Sequence, residues 1–347
     1  MAFSNGHPWA GPGAKAWQFI SGNSQNPMVD LGWKSVGVLE LTALPSIDHV
    51  RWVRRSARPT IGYNGWMSVR FGLKLSQDAT IDQLRDLWRV ADEGGFDSCW
   101  VMDHFATLGS RDDGPIFETW TLLAAMAEVT ARTRIGCAVV GNTYRHPGVL
   151  AKMAVTVDHL SGGRLDFGIG AGWAENEHTM LGLEFGTPKD RADRLEESVQ
   201  IIRGLWTRPR TTFMGEHYQL RDAVAEPKPV QRPYPPIWIG GSGPKRTLRI
   251  AAQYADVWNA AGGTPEEVAA SSAILDQHCA QVGRDPREIR RSVQLGVTAE
   301  TMDQVRPTAE AYAKVGVTDF LLIVRGADPV TLGEQLAAEL PRLRELG

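Results

Sequence analysis

The stretch GRLDFGIGAGW, residues 163–173, joins an apolar run to three alternating glycines, Gly168, Gly170 and Gly172. A dinucleotide-binding loop has the pattern G-x-G-x-x-G, leads directly into a helix and lies in the first strand–helix turn. Here a tryptophan stands at position 173, and three other strand candidates precede the stretch. The letters D-F-G within it also lack the accompanying motifs of a kinase. The glycines therefore mark the end of a strand in a different fold.

Strand and helix patterns alternate strictly from Met67 to the C-terminus. The predicted strands are residues 69–75, 98–102, 134–140, 164–169, 236–239, 256–259, 292–297 and 319–324. The predicted helices are residues 80–94, 117–130, 147–160, 189–206, 244–253, 265–282, 301–315 and 329–344, with Thr80 as an N-cap. Strict alternation implies a parallel sheet with right-handed crossovers, and eight units of this length predict a closed (β/α)8 TIM barrel.

Two insertions interrupt the predicted barrel. Residues 173–188 follow the fourth strand, and the proline-rich residues 208–235 follow its helix. The first insertion should lie on the rim formed by the C-terminal ends of the strands, where TIM barrels have their active sites. Together with residues 105–116 these segments are the predicted specificity loops, because the fold constrains them least.

Residues 1–66 differ in composition from the predicted barrel domain, residues 67–347. They are rich in tryptophan, glycine and proline, end in an arginine-rich patch and show no sustained period. We expect a disordered extension, or a segment absent from the native protein; the alternative is an arm that binds a partner or nucleic acid.

Composition and charge narrow the function. A net charge of −3 gives no reason to expect nucleic acid or an anionic membrane as a partner. Three cysteines, Cys99, Cys137 and Cys279, are far apart, which disfavours a disulfide framework or a zinc site and suits a reducing compartment. No apolar run has the length of a membrane helix, and no signal-peptide pattern begins the chain. We expect a cytoplasmic protein with a small-molecule substrate and no metal.

Functional residues are expected at the C-terminal ends of the strands. The second strand ends in WVMDHF, which places Asp103 and His104 at the rim. Histidine titrates near neutral pH, so His104 is a candidate acid–base group, although a structural Asp-His pair is the alternative. The third strand ends in GCAVVGNTYRHP, whose small residues suit a flat ring lying close to the backbone, or an ordinary core strand.

The fifth strand ends in IWIGGSGPKRTL, residues 237–248. The turn consists of Gly240, Gly241, Ser242 and Gly243. Its backbone N–H groups lie next to a helix N-terminus, an arrangement that suits a phosphate, although a glycine-rich turn is the alternative. Together the strand ends predict a large planar ligand with a phosphate tail.

These motifs resemble those of the luciferase-like (β/α)8 oxidoreductases and, within that family, the branch dependent on coenzyme F420, a deazaflavin. The resemblance covers Met67 to the C-terminus. It rests on WVMDH at 100–104, GNTYRHPGVLAKMAVTVDHLSGGRLDFGIGAGW at 141–173 and PPIWIGGSGPKRTLRIAAQYADVWN at 235–259. It implies a homodimeric oxidoreductase that transfers a hydride between C5 of the deazaflavin and an organic substrate.

The resemblance also implies roles for individual residues. His104 would donate a proton or contact the substrate. Cofactor contacts are implied for Asp103, Cys137, Ala138, Asn142, Gly170, Gly172, Gly240, Gly241, Ser242 and Gly243. Among these, Cys137 and Ala138 would form a bulge with a non-proline cis peptide behind the ring, and Asn142 would face the ring.

Two positions depart from the sugar-phosphate dehydrogenases that this family contains. Those enzymes have a tryptophan four residues after the histidine and an acid directly after the glycines of the fourth strand, where this chain has Leu108 and Trp173. A pocket with an indole in place of a carboxylate predicts a larger, less polar substrate, such as an enone, an imine or a nitroaromatic compound. The alternatives are an FMN-dependent monooxygenase of the same superfamily and a non-catalytic coenzyme-binding barrel.

Overall fold

The computed structural model describes residues 68–108 and 113–346. Its strands are β1 (Arg70–Lys74), β2 (Ser98–Val101), β3 (Arg134–Cys137), β4 (Val140–Gly141), β5 (Leu165–Gly170), β6 (Thr211–Met214), β7 (Gln219–Ala223), β8 (Ile237–Gly240), β9 (Val257–Ala260), β10 (Arg290–Val297) and β11 (Asp319–Val324). Eight of them, β1, β2, β3, β5, β8, β9, β10 and β11, pair in parallel around a closed sheet, because β11 pairs with β1. The predicted TIM barrel is confirmed.

Helices surround the barrel in the predicted order. They are α1 (Ile81–Glu93), α2 (Thr119–Val129), α3 (Pro147–Leu160), α4 (Glu175–Leu181), α5 (Pro188–Thr207), α6 (Thr247–Tyr254), α7 (Pro265–Val282), α8 (Val305–Ala313) and α9 (Pro329–Leu343). The two insertions contain elements that the periodicity did not predict: α4 in the first and the antiparallel pair β6–β7 in the second. Seven residues of α4 are too few to show a helical period.

The first helix shows why these segments fold as predicted. Thr80 accepts a hydrogen bond from the N–H of Gln83, whose side chain accepts one from the N–H of Thr80, so the predicted N-cap is a capping box. Such a cap contributes about 1 kcal/mol to stability. The buried face of α1, which includes Leu84, Leu87 and Ala91, packs in the core between helices and barrel.

Side chains fill the interior of the barrel below its rim. Near the N-terminal ends of the strands, Arg134 forms two hydrogen bonds with Asp166, of 2.9 and 2.8 Å. Further along, the rings of Trp100 and Trp238 meet edge to face with centroids 4.5 Å apart. Because this interior is packed, we expect a ligand to bind at the C-terminal mouth, as in other TIM barrels.

Some predictions concern residues outside the described ranges, or the oligomeric state and cellular location of the protein. The predicted N-terminal extension, residues 1–66, lies outside the described residues, as do residues 109–112 of one predicted specificity loop. Within the described part of the chain, no helix is long and apolar enough to cross a membrane. The homodimer and the cytoplasmic location stay predictions.

Candidate active site

Asp103 and His104 lie side by side after β2 but have different surroundings. Asp103 is buried, and its Oδ2 accepts hydrogen bonds from the N–H of Gly141 at 3.1 Å and from Arg145 at 2.7 Å. Burial raises the pKa of Asp103, and Arg145 acts in the opposite direction. The carboxylate therefore ties the end of β2 to the end of the neighbouring strand.

His104 is held by a carboxylate that sequence analysis did not identify. Its Nδ1 lies 3.0 Å from Oε1 of Glu177, and the same oxygen accepts the N–H groups of Phe105 and Ala106, both at 3.2 Å. The hydroxyl of Tyr144 donates to the other carboxylate oxygen. Burial acts to raise the pKa of Glu177, but the hydrogen bonds from His104 and Tyr144 outweigh it and hold that pKa below its usual value. Because an ionised carboxylate can only accept hydrogen bonds, the Nδ1 atom of His104 must carry a proton to form this one.

The other ring nitrogen of His104 is available for chemistry. Nε2 forms no hydrogen bond with any residue that the structure describes, and 11% of the side chain is exposed. By contrast, His178 is fully buried and has both nitrogens satisfied, Nε2 by Thr143 at 2.6 Å and Nδ1 by the carbonyl of Ala174 at 2.7 Å. His104 is thus the better placed of the two to exchange a proton with a ligand.

Trp173 forms an apolar wall beside His104. The two rings meet edge to face with centroids 5.4 Å apart, and 65% of the indole residue is exposed. The preceding residue, Gly172, has a φ of +85°, and a Cβ there would lie 2.6 Å from Oγ1 of Thr143. Gly172 is therefore needed for the turn that presents Trp173 and for the space that Thr143 occupies. Leu108, the other predicted pocket residue, is 48% exposed.

The glycines at the ends of β5 and β8 surround a valine. A Cβ on Gly170 would lie 2.8 Å from a methyl group of Val139, and one on Gly240 would lie 2.7 Å from it. The space next to these glycines inside the barrel is thus filled by Val139, a neighbour that the local sequence does not reveal. A border of the ring pocket at Gly170 and a phosphate contact at Gly240 stay predictions.

A cis peptide is present after β3, as predicted, but it lies one residue later in the chain than expected. The cis peptide joins Ala138 to Val139, so the predicted position, between Cys137 and Ala138, is wrong. The N–H of Ala138 donates to the carbonyl of Val101 at 2.9 Å, which continues the β2–β3 ladder past Cys137 and delays the break. Cys137 packs among the residues between barrel and helices, whereas Ala138 packs inside the barrel with Trp100.

Asn142 has a buried side chain with unused hydrogen-bonding capacity. It is 1% exposed, and neither its oxygen nor its nitrogen has a hydrogen-bond partner within 3.5 Å among the described residues. Tyr218 lies nearby, and burial raises the pKa of its hydroxyl. A buried amide with no partner among the described residues is rare, and such a group is suited to hydrogen bonding with a ligand.

The glycine turn after β8 offers some, but not all, of its predicted phosphate donors. Gly241, with a φ of +113°, donates its N–H to the carbonyl of Asn259 at 3.1 Å and is not available. The N–H groups of Ser242 and Gly243 donate to no residue that the structure describes, and both residues are exposed. A Cβ on Gly243 would lie 2.9 Å from the hydroxyl of Thr247, so this hydroxyl faces the turn. Together they suit an anionic group.

Metal ligation has no support in the described residues, which contain no group of three or more His, Cys, Asp or Glu side chains placed to hold an ion. The candidate site consists of a histidine–carboxylate pair, an apolar wall, a buried amide and a turn that suits an anion.

Several known proteins are similar to this chain. Residues 64–344 match the family model described as luciferase-like monooxygenase. An F420-dependent glucose-6-phosphate dehydrogenase of Microbacterium testaceum is 34% identical over 279 residues, which are 79% of this chain and 81% of that protein. A pyrimidine monooxygenase of Stutzerimonas stutzeri is 30% identical over 295 residues, 80% of this chain and 75% of that protein.

Two solved structures have the same fold. An F420-dependent secondary alcohol dehydrogenase in complex with an F420–acetone adduct matches with a TM-score of 0.72 and 20% identity, over 80% of this chain and 100% of that one. The F420-dependent tetrahydromethanopterin reductase of Methanopyrus kandleri matches with a TM-score of 0.70 and 18% identity, over 80% and 99% of the two chains.

Proposed function

The chain belongs to the luciferase-like monooxygenase family, and on that premise we propose that it is an oxidoreductase dependent on coenzyme F420. The observation that carries the proposal is His104 at the mouth of the barrel, with Nδ1 held by the buried Glu177 and Nε2 without a partner among the described residues. The relatives named for F420 support the choice of coenzyme.

The residues at the mouth fit a deazaflavin with an anionic tail. Ser242, Gly243 and Thr247 would hold the phosphate through two N–H groups and a hydroxyl. The unpartnered amide of Asn142 is one group that a bound ring or its ordered water would satisfy. When bound, the coenzyme supplies a carbon, C5, that accepts or donates a hydride.

His104 would handle the proton of the reaction. In the reductive direction, a hydride adds to one end of a C=C or C=N bond, the π electron pair moves to the other end, and Nε2 of His104 delivers the proton there. Glu177 keeps the other nitrogen protonated and fixes the ring plane. Trp173, against the edge of His104, would shield the reacting atoms from water.

The substrate that we propose is small, organic and fairly apolar, of the enone, imine or nitroaromatic class. Trp173 and Leu108 support this choice, since both present exposed apolar surface where sugar-phosphate dehydrogenases have a carboxylate and a tryptophan, respectively. An indole surface favours a flat apolar substrate over a polyhydroxylated one.

A second candidate is an FMN-dependent monooxygenase. It is favoured by the 30% identity to a pyrimidine monooxygenase, and the anion-binding turn suits the FMN phosphate equally well. Titrating the purified full-length chain with F420 and with FMN, each oxidised and reduced, distinguishes them by fluorescence. We expect F420 to bind; submicromolar binding of FMN alone would overturn the proposal.

Turnover separates an enzyme from a carrier of the coenzyme. The F420-loaded protein is given a panel of enones, imines and nitroaromatics, and oxidation of the reduced coenzyme is followed by absorbance. Tight coenzyme binding without turnover on any compound would favour the non-catalytic barrel.

A further inference from the structure

A buried lysine that the proposed chemistry leaves unused lies inside the barrel. Lys74, at the end of β1, is 6% exposed, and its ammonium donates to the carbonyl of Ala138 at 2.9 Å and to the side-chain oxygen of Gln294. Gln294 in turn donates to Asn259 at 2.7 Å, and Asn259 donates to Ser292 at 2.9 Å. The ammonium thus begins a polar chain that crosses the barrel from β1 to β10 and β9.

This ammonium has no counter-ion among the described residues. Its acceptors are neutral, and no described carboxylate oxygen lies within 4.0 Å of it. Burial lowers the pKa of Lys74 to about 8; the neighbouring Cys137 acts against this shift, and Arg325 adds to it. At pH 7 the side chain is still mostly charged. A buried and uncompensated charge is costly, so its presence indicates a function.

The contacts of Lys74 place it next to the bulge that follows β3. The carbonyl that it binds, that of Ala138, immediately precedes Val139, whose methyl groups lie against Gly170 and Gly240. Gln294, its other partner, is half-buried. These contacts place the positive charge directly behind the bulge against which we propose that the ring lies.

We propose that Lys74 supplies the positive charge that makes this site bind the reduced deazaflavin more tightly than the oxidised one. The proposal rests on the function proposed above. When bound, the coenzyme would in the oxidative direction accept a hydride, that is the hydrogen and both electrons of a substrate C–H bond, and His104 would accept the proton that the substrate also loses. The net charge of the coenzyme ring thereby falls by one, and a nearby cation in a medium of low dielectric constant favours the more negative form.

The test is equilibrium binding, not activity. Dissociation constants of oxidised and of reduced F420 are measured by fluorescence for the full-length wild type, for K74M and for K74Q. Both substitutions remove the charge, but only K74Q keeps a donor for the carbonyl of Ala138. K314M is the matched control, because Lys314 is exposed and pairs with Glu310 on α8.

We expect both Lys74 variants to bind reduced F420 at least about tenfold more weakly than wild type, with less than about a threefold change for the oxidised form. K314M should leave both constants unchanged. An equal loss for both forms would overturn the proposal, because it would mean that Lys74 only supports the wall. Retained preference for the reduced form in K74Q would also overturn it. A wild type that binds neither form refutes the proposed function itself, before any variant is compared.

Discussion

Oε1 of Glu177 lies 3.0 Å from Nδ1 of His104, although 73 residues separate the two in the chain. The carboxylate comes from α4, inside the first insertion, and also binds the backbone just after His104. The insertion therefore sets the orientation of the proposed proton donor.

Replacing Glu177 by glutamine should lower kcat by about 10- to 100-fold, since a neutral amide does not stabilise the charged imidazole and does not require a proton on Nδ1. The pH profile of kcat should shift as well, which loss of packing alone would not cause. Steady-state kinetics on the F420-loaded enzyme measure both. Glu175→Gln, an exposed change on the same helix, is the control. An unchanged pH profile would remove Glu177 from the mechanism.

His104→Ala should keep F420 binding and lose about 100- to 10,000-fold in kcat, because the proton donor is removed while the anion-binding turn stays intact. Coenzyme titration and single-turnover kinetics separate the two effects. His159→Ala on the exposed face of α3 is the matched control. Wild-type turnover in the His104 variant would exclude it as the donor.

Asp92→Asn should destabilise the fold at neutral pH by about 1–3 kcal/mol. The Asp92 carboxylate accepts the N–H groups of residues 131, 132 and 133 at 3.0, 2.6 and 2.8 Å. Burial acts to raise the pKa of Asp92, but these hydrogen bonds outweigh it and lower that pKa. The contribution is therefore complete above the unfolded value near 3.8 and lost as the pH falls through the lower folded value.

Urea unfolding at pH 7 and at pH 3 or below measures this difference. The difference in the free energy of unfolding between wild type and Asp92→Asn should be smaller at the lower pH. Asp78→Asn, which changes an exposed carboxylate, should alter the free energy of unfolding little at either pH. A gap that widened on acidification would contradict the assignment.

Gly172→Ala should destabilise the protein by about 2–3 kcal/mol and weaken substrate binding, because the new methyl group combines a strained φ with a clash against Thr143. Gly182→Ala isolates the strain: its φ of +67° is similar, and a Cβ there would meet nothing within 4 Å. Thermal unfolding of both variants gives the comparison. Equal losses would show that the contact with Thr143 does not matter.

Trp173→Glu should shift the substrate preference toward polar compounds. The ratio of kcat/KM for an apolar substrate to that for glucose 6-phosphate should fall at least about tenfold, since the apolar wall is replaced by a carboxylate. Trp173→Phe keeps the wall and should keep the ratio. A ratio unaffected by the glutamate would place substrate discrimination elsewhere.

Features repeated along the chain were predictable from the sequence. The eight strands and their helices came from periodicity, and β11 and α7 have the predicted bounds. His104 was found because a titratable group at a strand end is a local signal. The family resemblance predicts the cis peptide one residue too early, because a matching motif does not show where the pairing with β2 stops.

Contacts between distant parts of the chain were not predictable. Glu177 lies in a helix that is too short to show a period, and its partner, His104, lies in the loop that follows β2. Val139 explains Gly170 and Gly240, yet it lies in the bulge between β3 and β4, about 30 and 100 residues away from them in the chain. In the sequence, Lys74 does not differ from an ordinary strand residue. Its contacts with Ala138 and Gln294 form only when the barrel closes.

The first insertion carries both Trp173 and Glu177, one against the edge of His104 and the other on its Nδ1. In the proposed function, choice of substrate and control of the proton are therefore linked through one segment, residues 173–188. A graft of residues 173–188 between relatives would transfer both properties at once. We therefore expect that a graft that reshapes the pocket must retain a carboxylate at position 177. Without it, the exchanged loop would change the substrate specificity, but His104 would no longer be held for proton transfer.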